Sequence, residues 1–450
     1  MPEAQLEQVA QDLIQRAASA GATAADAVVR EADEFSTVVR LGKIESLKEA
    51  ASKALGLRVF LGARSATSYS SDFSAASLAQ LVDRTLEMAR VTSEDPASGL
   101  ADRELLGCYP GDLRLYADDV SLMSTEERIG LARRAEEAAL ATDPRIRNSE
   151  GAWFESSLGK KAYANSRGFV GSYRASYCGV SAAPIAQNGG GMQRDYWYSV
   201  ARSAAALAAP EAVGRKAAER ALRKLGARKV ATCRVPVVFD PETAGAFLGH
   251  LFEAVRGDAI YRSASFLAGK LGQSVASPNV TVLDDGLRPG GFGSRPFDDE
   301  GVPPLVTPII EEGVLRNYLL NSYAARKLNL RTTGNASRGV AGPPGIGPKN
   351  FYLVPGREAP ESIIRSVKEG FYVTNLIGFG VNIVSGDYSR GAGGLWIENG
   401  ELTYPVEEVT IAGSLPEMLN HVAAIGSDLE FRQPLASPTL LLDGLTVAGT

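Results

Sequence analysis

Residues 234–261 read RVPVVFDPETAGAFLGHLFEAVRGDAIY, and this stretch determines the fold of the second half of the chain. Residues 235–239 form a short apolar run that is typical of a buried strand. Asp240 and Pro241 follow in the positions of a helix N-cap and a first helical residue. The stretch therefore predicts a strand, a turn and a helix.

The chain before this stretch predicts an α/β domain. Apolar residues at helical spacing mark a helix near the amino terminus, which Gly21 ends. Residues 161–185 predict a pair of strands that turns at 166–168. Pro210 and Gly226 bracket a further helix. The other predicted elements are strands at 26–29, 34–41 and 54–61 and helices at 75–90 and 124–141.

We predict a domain boundary near residues 227–232, which gives domains at 1–227 and 228–450. The second domain is rich in Gly and Pro, and its long loops are a frequent location of function. A helix is predicted at 415–425. The fold class is α+β, with an N-terminal α/β domain followed by a sheet-rich C-terminal domain of antiparallel strands and long loops. Short strands of this domain are predicted at 351–354, 371–376, 394–397, 402–409 and 439–442.

The composition favours a soluble globular protein. The chain has 450 residues, is 45% hydrophobic and 22% charged, and carries a net charge of -5, which disfavours nucleic acid as a partner. Its three cysteines are far apart and lack CxxC spacing, as expected in a reducing compartment. The amino terminus has no signal-peptide core, and no apolar run is long enough to span a membrane. We therefore expect a cytoplasmic protein without a membrane partner.

The chain has two histidines, His250 and His421, and this scarcity limits metal chemistry. Glu253 follows His250 at i+3, which is not the spacing of the HExxH motif. His421 has no ligand-type residue in the turn that follows it. An ordinary structural or surface role is favoured for each histidine, and a two-histidine zinc site formed by the fold is the alternative.

Other catalytic patterns are weak in this sequence. No cysteine stands in a recognisable nucleophile context, and the chain contains neither a GxSxG elbow nor a GxxxxGK[ST] phosphate loop. Asp298, Asp299 and Glu300 form an acidic cluster within a loop rich in Pro and Gly. A solvated loop or a helix cap is the favoured interpretation, and binding of a divalent cation is the alternative.

Several separated segments resemble the TldD/PmbA family, in the same order along the chain and most strongly after about residue 230. Because the resemblance rests on many segments, coincidence at a single motif does not explain it. The segments are FDPETAGAFLGHLFEA at 239–254, SFLAGKLGQSVASPNVTVLDDG at 265–286, FDDEGVP at 297–303, IIEEGVLRNYLLNSYAARKLNL at 309–330, TTGNASRG at 332–339, GFGVNIVSGDYSRGAGGLWIENGELTYPVEEVTIAGSL at 378–415 and SPTLLLDGLTVAGT at 437–450.

The family has a TldD-like branch in which HExxxH and a later cysteine form a metal site. The resemblance aligns this motif with residues 252–257, where Phe252 and Gly257 replace the histidines and Glu253 keeps the position of the base. Ile425 falls near the position of the cysteine. Because Phe, Gly and Ile side chains have no ligand atom, the resemblance implies that this chain binds no metal at this site.

The segments SYAARKLNL and FDDEGV resemble the PmbA/TldE branch. This resemblance implies a subunit that is inactive alone and pairs with a zinc-bearing, TldD-like partner. The complex would enclose a cavity and degrade or trim unfolded peptides and peptide precursors, and a homodimer is also compatible with the family. Two alternatives stay open: an autonomous hydrolase that uses Glu253 or Cys233 without zinc, and a peptide-binding module without catalysis.

Some residues are candidates for facing a substrate or a partner. Arg256 stands one turn after Glu253, so an internal ion pair is the favoured role, and a grip on a substrate carboxylate is the alternative. The loops at 290–304 and 339–349 are candidates for lining the cavity or contacting the partner. The further candidates for contact with a substrate or partner are Asp298, Asp299, Lys349 and Asn350.

Overall fold

The structure is a computed structural model that describes residues 1–189 and 191–449. It contains both helices and antiparallel sheets, which confirms the α+β class. No helix within the described residues combines the length and apolar character needed to cross a membrane. The helices are α1 (Glu3–Ser19), α2 (Ala75–Val91), α3 (Asp119–Leu122), α4 (Thr125–Ala141), α5 (Pro210–Leu222), α6 (Pro241–Val255), α7 (Gly257–Tyr261), α8 (Ser322–Leu328), α9 (Pro360–Ser366) and α10 (Leu415–Asn420).

The first half of the chain forms one antiparallel sheet with long strands. The spatial order is β3-β2-β1-β4-β5-β6, and β7 also pairs with β5. These strands are β1 (Ala24–Arg40), β2 (Lys43–Leu61), β3 (Arg64–Ser70), β4 (Ile146–Asn165), β5 (Val170–Asn188), β6 (Gly191–Arg194) and β7 (Trp197–Ala201).

The two faces of this sheet have different partners. Because side chains alternate along a strand, Ala25, Ala27 and Val29 of β1 point to one face. There they pack with apolar residues of α1 and α2. Asp26 points to the opposite face and forms an ion pair with Arg338 from the second half of the chain. The sheet is therefore buried by helices on one face and, in part, by the second half on the other.

The second half contains two larger sheets and one short strand pair. Their orders are β17-β16-β15-β8-β20-β18, β11-β10-β9-β14-β19 and β12-β13. The strands are β8 (Cys233–Phe239), β9 (Val282–Asp285), β10 (Val306–Glu311), β11 (Val314–Leu315), β12 (Ala336–Ser337), β13 (Gly345–Ile346), β14 (Phe351–Leu353), β15 (Glu369–Ile377), β16 (Asp387–Glu398), β17 (Glu401–Ser414), β18 (Val422–Ile425), β19 (Leu435–Ala436) and β20 (Leu440–Ala448).

Helix α6 lies in the main core of this second half. Strand β17 pairs with β20 as well as with β16, so β17, β16, β15, β8 and β20 close into a ring. Helix α6 contacts β8 and β15 of this ring and also β14 and β19 of the neighbouring sheet. Phe247 and Leu251 of α6 are almost fully buried in this core. The core thus fixes the helix that carries the HExxxH-like segment.

Most predicted elements are present, and some are longer than predicted. The strands predicted at 26–29 and 34–41 form one strand, β1, because β2 and β4 pair with it along most of its length. Helix α4 begins with a side-chain cap, in which Ser124 Oγ accepts from the Glu127 backbone N–H. The sheet of the first half ends at residue 201 and the sheets of the second half begin at 233. The boundary at 227 and 228 stays a prediction.

The helix predicted at 415–425 is wrong in its second half. Helix α10 ends at Asn420, and Val422 begins strand β18. Val422 pairs with Leu442, and the backbone N–H of Gly426 donates to Thr439 O at 2.8 Å. An apolar run with a β-branched residue fits a strand as well as a helix, and here the open side of β20 determines the result.

Candidate functional site

Helix α6 presents the HExxxH-like segment at its carboxyl end. It begins as the sequence predicts, because Asp240 Oδ1 accepts from the backbone N–H of Thr243 at 2.9 Å and Pro241 is the first helical residue. The helix ends at Val255, since Arg256 has extended angles of φ -65° and ψ 133°. Gly257 then begins α7. The segment at 252–257 therefore spans a corner between two helices.

Glu253 and Arg256 form an ion pair at this corner. Arg256 Nη1 donates to Glu253 Oε2 at 2.8 Å, which agrees with the favoured prediction. The same guanidinium donates through Nε and Nη2 to the two carboxylate oxygens of Asp258, at 3.0 and 2.8 Å. The Glu253 and Arg256 side chains are 45% and 26% exposed. The guanidinium group of Arg256 thus binds two carboxylates of its own chain.

The residues at the two histidine positions are packed into the core. Phe252 is 5% exposed, and its ring lies edge-on to Phe351 with centroids 5.7 Å apart. A Cβ atom added to Gly257 would lie 2.5 Å from Leu320 Cδ2 and 2.8 Å from Ala324 Cβ. These contacts leave no room for a larger side chain at 257 unless α8 moves.

Ile425 lies in β18 and is also buried, at 7% exposure. It pairs with Leu440 of β20, and its backbone oxygen lies close to Gly356. Phe252 and Ile425 belong to the same apolar core cluster. None of the side chains at 252, 257 and 425 has a donor atom for zinc, so these positions do not fit a metal site of the HExxxH type.

Neither histidine has the setting of a metal ligand. His250 Nε2 lies 3.4 Å from Arg390 Nη1, and the His250 ring stands edge-on to the Tyr388 ring. Burial, together with the charge of Arg390, lowers the pKa of His250 to about 4. His421 is exposed at the end of α10. Among residues 1–189 and 191–449, no group of three or more His, Cys, Asp or Glu side chains is arranged to hold a metal ion.

The cysteines are separate free thiols. Cys178 is buried, and Sγ donates to Ala201 O at 3.6 Å. Burial raises the pKa of Cys178 to about 12. Burial and the neighbouring Glu369 also raise the pKa of Cys233, so its thiol form is favoured at neutral pH. The thiolate is the nucleophilic form of cysteine, and these settings oppose it.

The acidic cluster at 298–300 is buried, and the expectation of a solvated loop is therefore wrong. Each of its side chains is 1% exposed. The Asp298 carboxylate accepts from the backbone N–H groups of Glu300, Val302 and Ala336 at 2.9 Å each. Burial and the nearby Glu300 raise the pKa of Asp298 to about 7. Asp298 therefore stabilises the loop by accepting backbone hydrogen bonds in the interior of the protein.

Asp299 forms a buried ion pair with Lys161, which reaches it from β4 in the first half of the chain. Asp299 Oδ2 also accepts from the Arg338 backbone N–H at 2.8 Å. Burial acts to raise the pKa of Asp299, but Lys161 and Arg295 outweigh it and hold that pKa at about 2. The acidic loop is thus an ionic contact between the two halves rather than an exposed cation site.

Lys349 and Asn350 are also fully buried. Lys349 Nζ donates to Thr333 O at 2.7 Å. Asn350 Nδ2 donates to Asp285 O at 2.6 Å and to Ser294 Oγ at 2.8 Å. Asp298, Asp299, Lys349 and Asn350 are therefore all buried, and these four candidates for contact with a substrate or partner are not at the surface.

Three family models match this chain in order along the sequence. They are described as the PmbA/TldA metallopeptidase domain 1 at residues 25–89, central domain at 118–225 and C-terminal domain at 232–449. Metalloprotease PmbA of Escherichia coli O157:H7 is 38% identical over 432 residues, which cover 96% of this chain and 94% of that protein. This chain belongs to the TldD/PmbA family of metallopeptidases. A metalloprotease PmbA homolog of Haemophilus influenzae is 36% identical and covers 99% of this chain and 97% of its own length.

Two solved structures have the same fold as this chain. A candidate modulator of DNA gyrase from Bacteroides thetaiotaomicron superimposes with a TM-score of 0.91 at 27% identity, covering 98% of each chain. TldE from Thermococcus kodakarensis superimposes with a TM-score of 0.89 and covers 98% of this chain and all of its own. At 20% identity, the likeness to TldE shows the fold alone.

This member of the TldD/PmbA family also has features that sequence analysis missed. A cleft of about 550 Å³ lies between its two halves and is lined by Tyr177, Tyr198 and Glu242. Tyr198 Oη donates to Glu242 Oε2 at 3.0 Å. The three consecutive aromatic residues at 196–198 were the available signal, but the sequence does not show which strand faces the second half.

Proposed function

We propose that this chain is a metal-lacking, PmbA/TldE-like subunit of a heteromeric peptidase. A TldD-like partner carries the zinc and activates water, and the assembly degrades or trims unfolded peptides and peptide precursors. This chain supplies part of the enclosing chamber and has no hydrolytic activity alone. The three unpaired thiols are compatible with action in the cytoplasm.

The packing around Gly257 is the observation that carries this proposal. A metal ligand there needs a side chain of several atoms, while even a Cβ atom would meet Leu320 and Ala324 at 2.8 Å or less. Phe252 fills the other histidine position with an aromatic contact in the core. The corner is thus packed around residues that cannot bind a metal. This packing supports the proposal that the subunit works without a metal ion of its own.

The setting of Glu253 gives further support. In a metallopeptidase a glutamate acts as base on a water that the metal has activated. Glu253 instead accepts from Arg256 at 2.8 Å. A carboxylate without an activated water is a poor hydrolytic catalyst. We therefore propose that Glu253 has a structural role at the corner between α6 and α7.

Reconstitution tests this function. The purified chain is assayed on an unfolded peptide alone, with a TldD-like subunit, and with that subunit after its HExxxH glutamate is changed to Gln. We expect cleavage only when this chain meets the intact partner, since both the chamber and the metal are required. Cleavage by this chain alone that persists with a chelator would contradict the proposal. So would a partner whose rate does not change on mixing.

A further inference from the structure

A second cavity, of about 390 Å³, lies between the two halves of the chain beside α7 and α8. The segment at 93–99 lines it from the first half, and Tyr261 and Tyr323 line it from the second. The volume is in the range of cavities that hold small ligands. Glu253 and Arg256 do not line this cavity, but Asp258, which Arg256 binds, does.

Two buried groups of opposite charge line this cavity. Arg58 of β2 is 7% exposed and Glu300 is 1% exposed. Arg58 donates through Nε and Nη2 to Asp26 Oδ2, while Glu300 Oε2 accepts from the Ser322 backbone N–H at 2.8 Å. Within the part of the chain that the structure describes, Arg58 Nη1 and Glu300 Oε1 have no hydrogen-bond partner, and the two side chains form no ion pair with each other. Each group therefore keeps one atom for a ligand.

The other carboxylates of the cavity are already engaged. Asp95 accepts from Tyr323 Oη at 2.6 Å and from Lys327 Nζ at 2.9 Å. Both oxygens of Asp258 are bound by Arg256. A divalent cation would therefore find few carboxylate oxygens and would meet the guanidinium of Arg58. A simple anion would meet the carboxylate of Glu300.

The cavity also has an apolar side. The rings of Tyr261 and Tyr323 stand edge-on with centroids 5.8 Å apart. Pro343, Pro344 and Ile346 contribute apolar atoms from the loop that follows Arg338. Such a surface accommodates an aliphatic or aromatic side chain, while the charged pair orients the polar part of the ligand.

We propose that this cavity binds a small zwitterion of the amino-acid type, either a free amino acid or a short peptide. The carboxylate of the ligand accepts from Arg58 Nη1, and its ammonium group donates to Glu300 Oε1. Unlike charges on one small molecule match the two buried groups, and each contact is a charge-assisted hydrogen bond. The inference rests on the cavity alone, so it holds or fails independently of the proposed role in a peptidase complex.

Calorimetric titration of the isolated full-length chain tests the ligand class. The probes are L-leucine, leucyl-leucine, N-acetyl-leucine, which lacks the ammonium group, and leucinamide, which lacks the carboxylate. We expect saturable binding of at least one zwitterion at one site per chain. Each blocked analogue should bind about tenfold weaker or worse than the tighter-binding zwitterion, since one charge-assisted contact is lost. The ratio of the affinities for leucine and leucyl-leucine shows whether the site prefers a free amino acid or a short peptide.

The Glu300→Gln variant tests the site. Gln keeps an oxygen for the Ser322 N–H but loses the charge that attracts ammonium. We expect the affinity for leucine or leucyl-leucine to fall about tenfold or more, while the weak binding of N-acetyl-leucine is unchanged. Glu361→Gln, at an exposed glutamate in the first turn of α9, is the matched control and should bind like the parent chain.

Three results would overturn the inference. They are no saturable binding of leucine or leucyl-leucine at millimolar concentration, an N-acetyl-leucine affinity equal to that of the tighter-binding zwitterion, and no difference between Glu300→Gln and Glu361→Gln. If Glu300→Gln fails to fold, the comparison of the four probes on the parent chain still shows whether the cavity prefers a zwitterion. Peptidase assays do not enter this test, so its failure is distinct from failure of the proposed function.

Discussion

Arg256 Nη1 lies 2.8 Å from Glu253 Oε2, and this ion pair closes the corner between α6 and α7. The resemblance to the TldD-like branch places Glu253 at the position of that branch's base. Here the glutamate is tied to an arginine that also binds Asp258. The residue that most resembles a catalytic group is thus part of a surface ion-pair network.

We predict that Glu253→Gln changes little. Because Glu253 is 45% exposed, the lost ion pair should cost less than about 1 kcal/mol of unfolding free energy. Cleavage of an unfolded peptide by the mixture with a TldD-like subunit should stay within about twofold of the parent rate, far from the effect of removing a catalytic base. Initial rates of the reconstituted mixture measure this. A cleavage rate about a hundredfold lower in a folded variant would show instead that Glu253 is catalytic.

Introducing a side chain at Gly257 should destabilise the chain. In Gly257→Ala the new methyl group would meet Leu320 and Ala324, and overpacking of this kind costs about 1–3 kcal/mol. Gly130→Ala is the matched control, since Gly130 lies inside α4 with no atom within 4 Å of an added Cβ. The control should be stabilised by about 0.5–1 kcal/mol. Urea unfolding of both variants gives the comparison, and equal stability of the two would contradict the packing argument.

Asp26→Asn should weaken the contact between the two halves. Asp26 is fully buried and compensates Arg58 and Arg338, whose Nη2 atom lies 2.8 Å from Asp26 Oδ1. Removing one member of a buried ionic group leaves uncompensated charge and costs about 3–5 kcal/mol. Asp33→Asn, at an exposed residue of the same strand, should change stability by less than about 0.5 kcal/mol. Thermal unfolding midpoints that match for the two variants would show that the ionic group is dispensable.

His250 should make stability depend on pH. Burial, with a contribution from Arg390, lowers the pKa of His250 to about 4 in the folded chain, while an unfolded histidine has a pKa of about 6.5. Because the unfolded chain takes up the proton first, this contribution is fully present above about pH 6.5 and is lost as the pH falls toward 4.

The difference between two glutamine variants measures this effect. His250→Gln should flatten the fall of the unfolding midpoint between about pH 6.5 and 4. His421→Gln, at the exposed histidine after α10, should leave that slope as it is in the parent chain. Identical slopes for both variants would show that His250 is not the group responsible.

Local sequence signals were sufficient for helix α6 and its corner. Asp240 and Pro241 fix the start of the helix through contacts within a few residues, so their positions could be predicted. The ion pair of Glu253 and Arg256 is also local, three residues apart. Interactions of this range are encoded in residue spacing.

Long-range contacts were beyond the sequence alone. Asp299 is buried because Lys161, 138 residues away, neutralises it, and no feature near 299 indicates that partner. Ile425 lies on a strand because β20 offers it a pairing edge, although the same apolar run also suits a helix. Glu300 and Arg58 share a cavity only after the two halves pack together. The candidate ligand site was therefore invisible until the fold was known.

Zinc analysis of the purified chain tests whether it lacks a metal site. The chain is saturated with zinc, freed of excess by gel filtration and analysed by mass spectrometry for zinc per chain, beside His250→Ala. We expect far less than one zinc per chain in both, because Phe252, Gly257 and Ile425 provide no ligand atoms. About one zinc per chain in the parent, lost in the folded His250→Ala variant, would show instead that the chain has a metal site that includes His250.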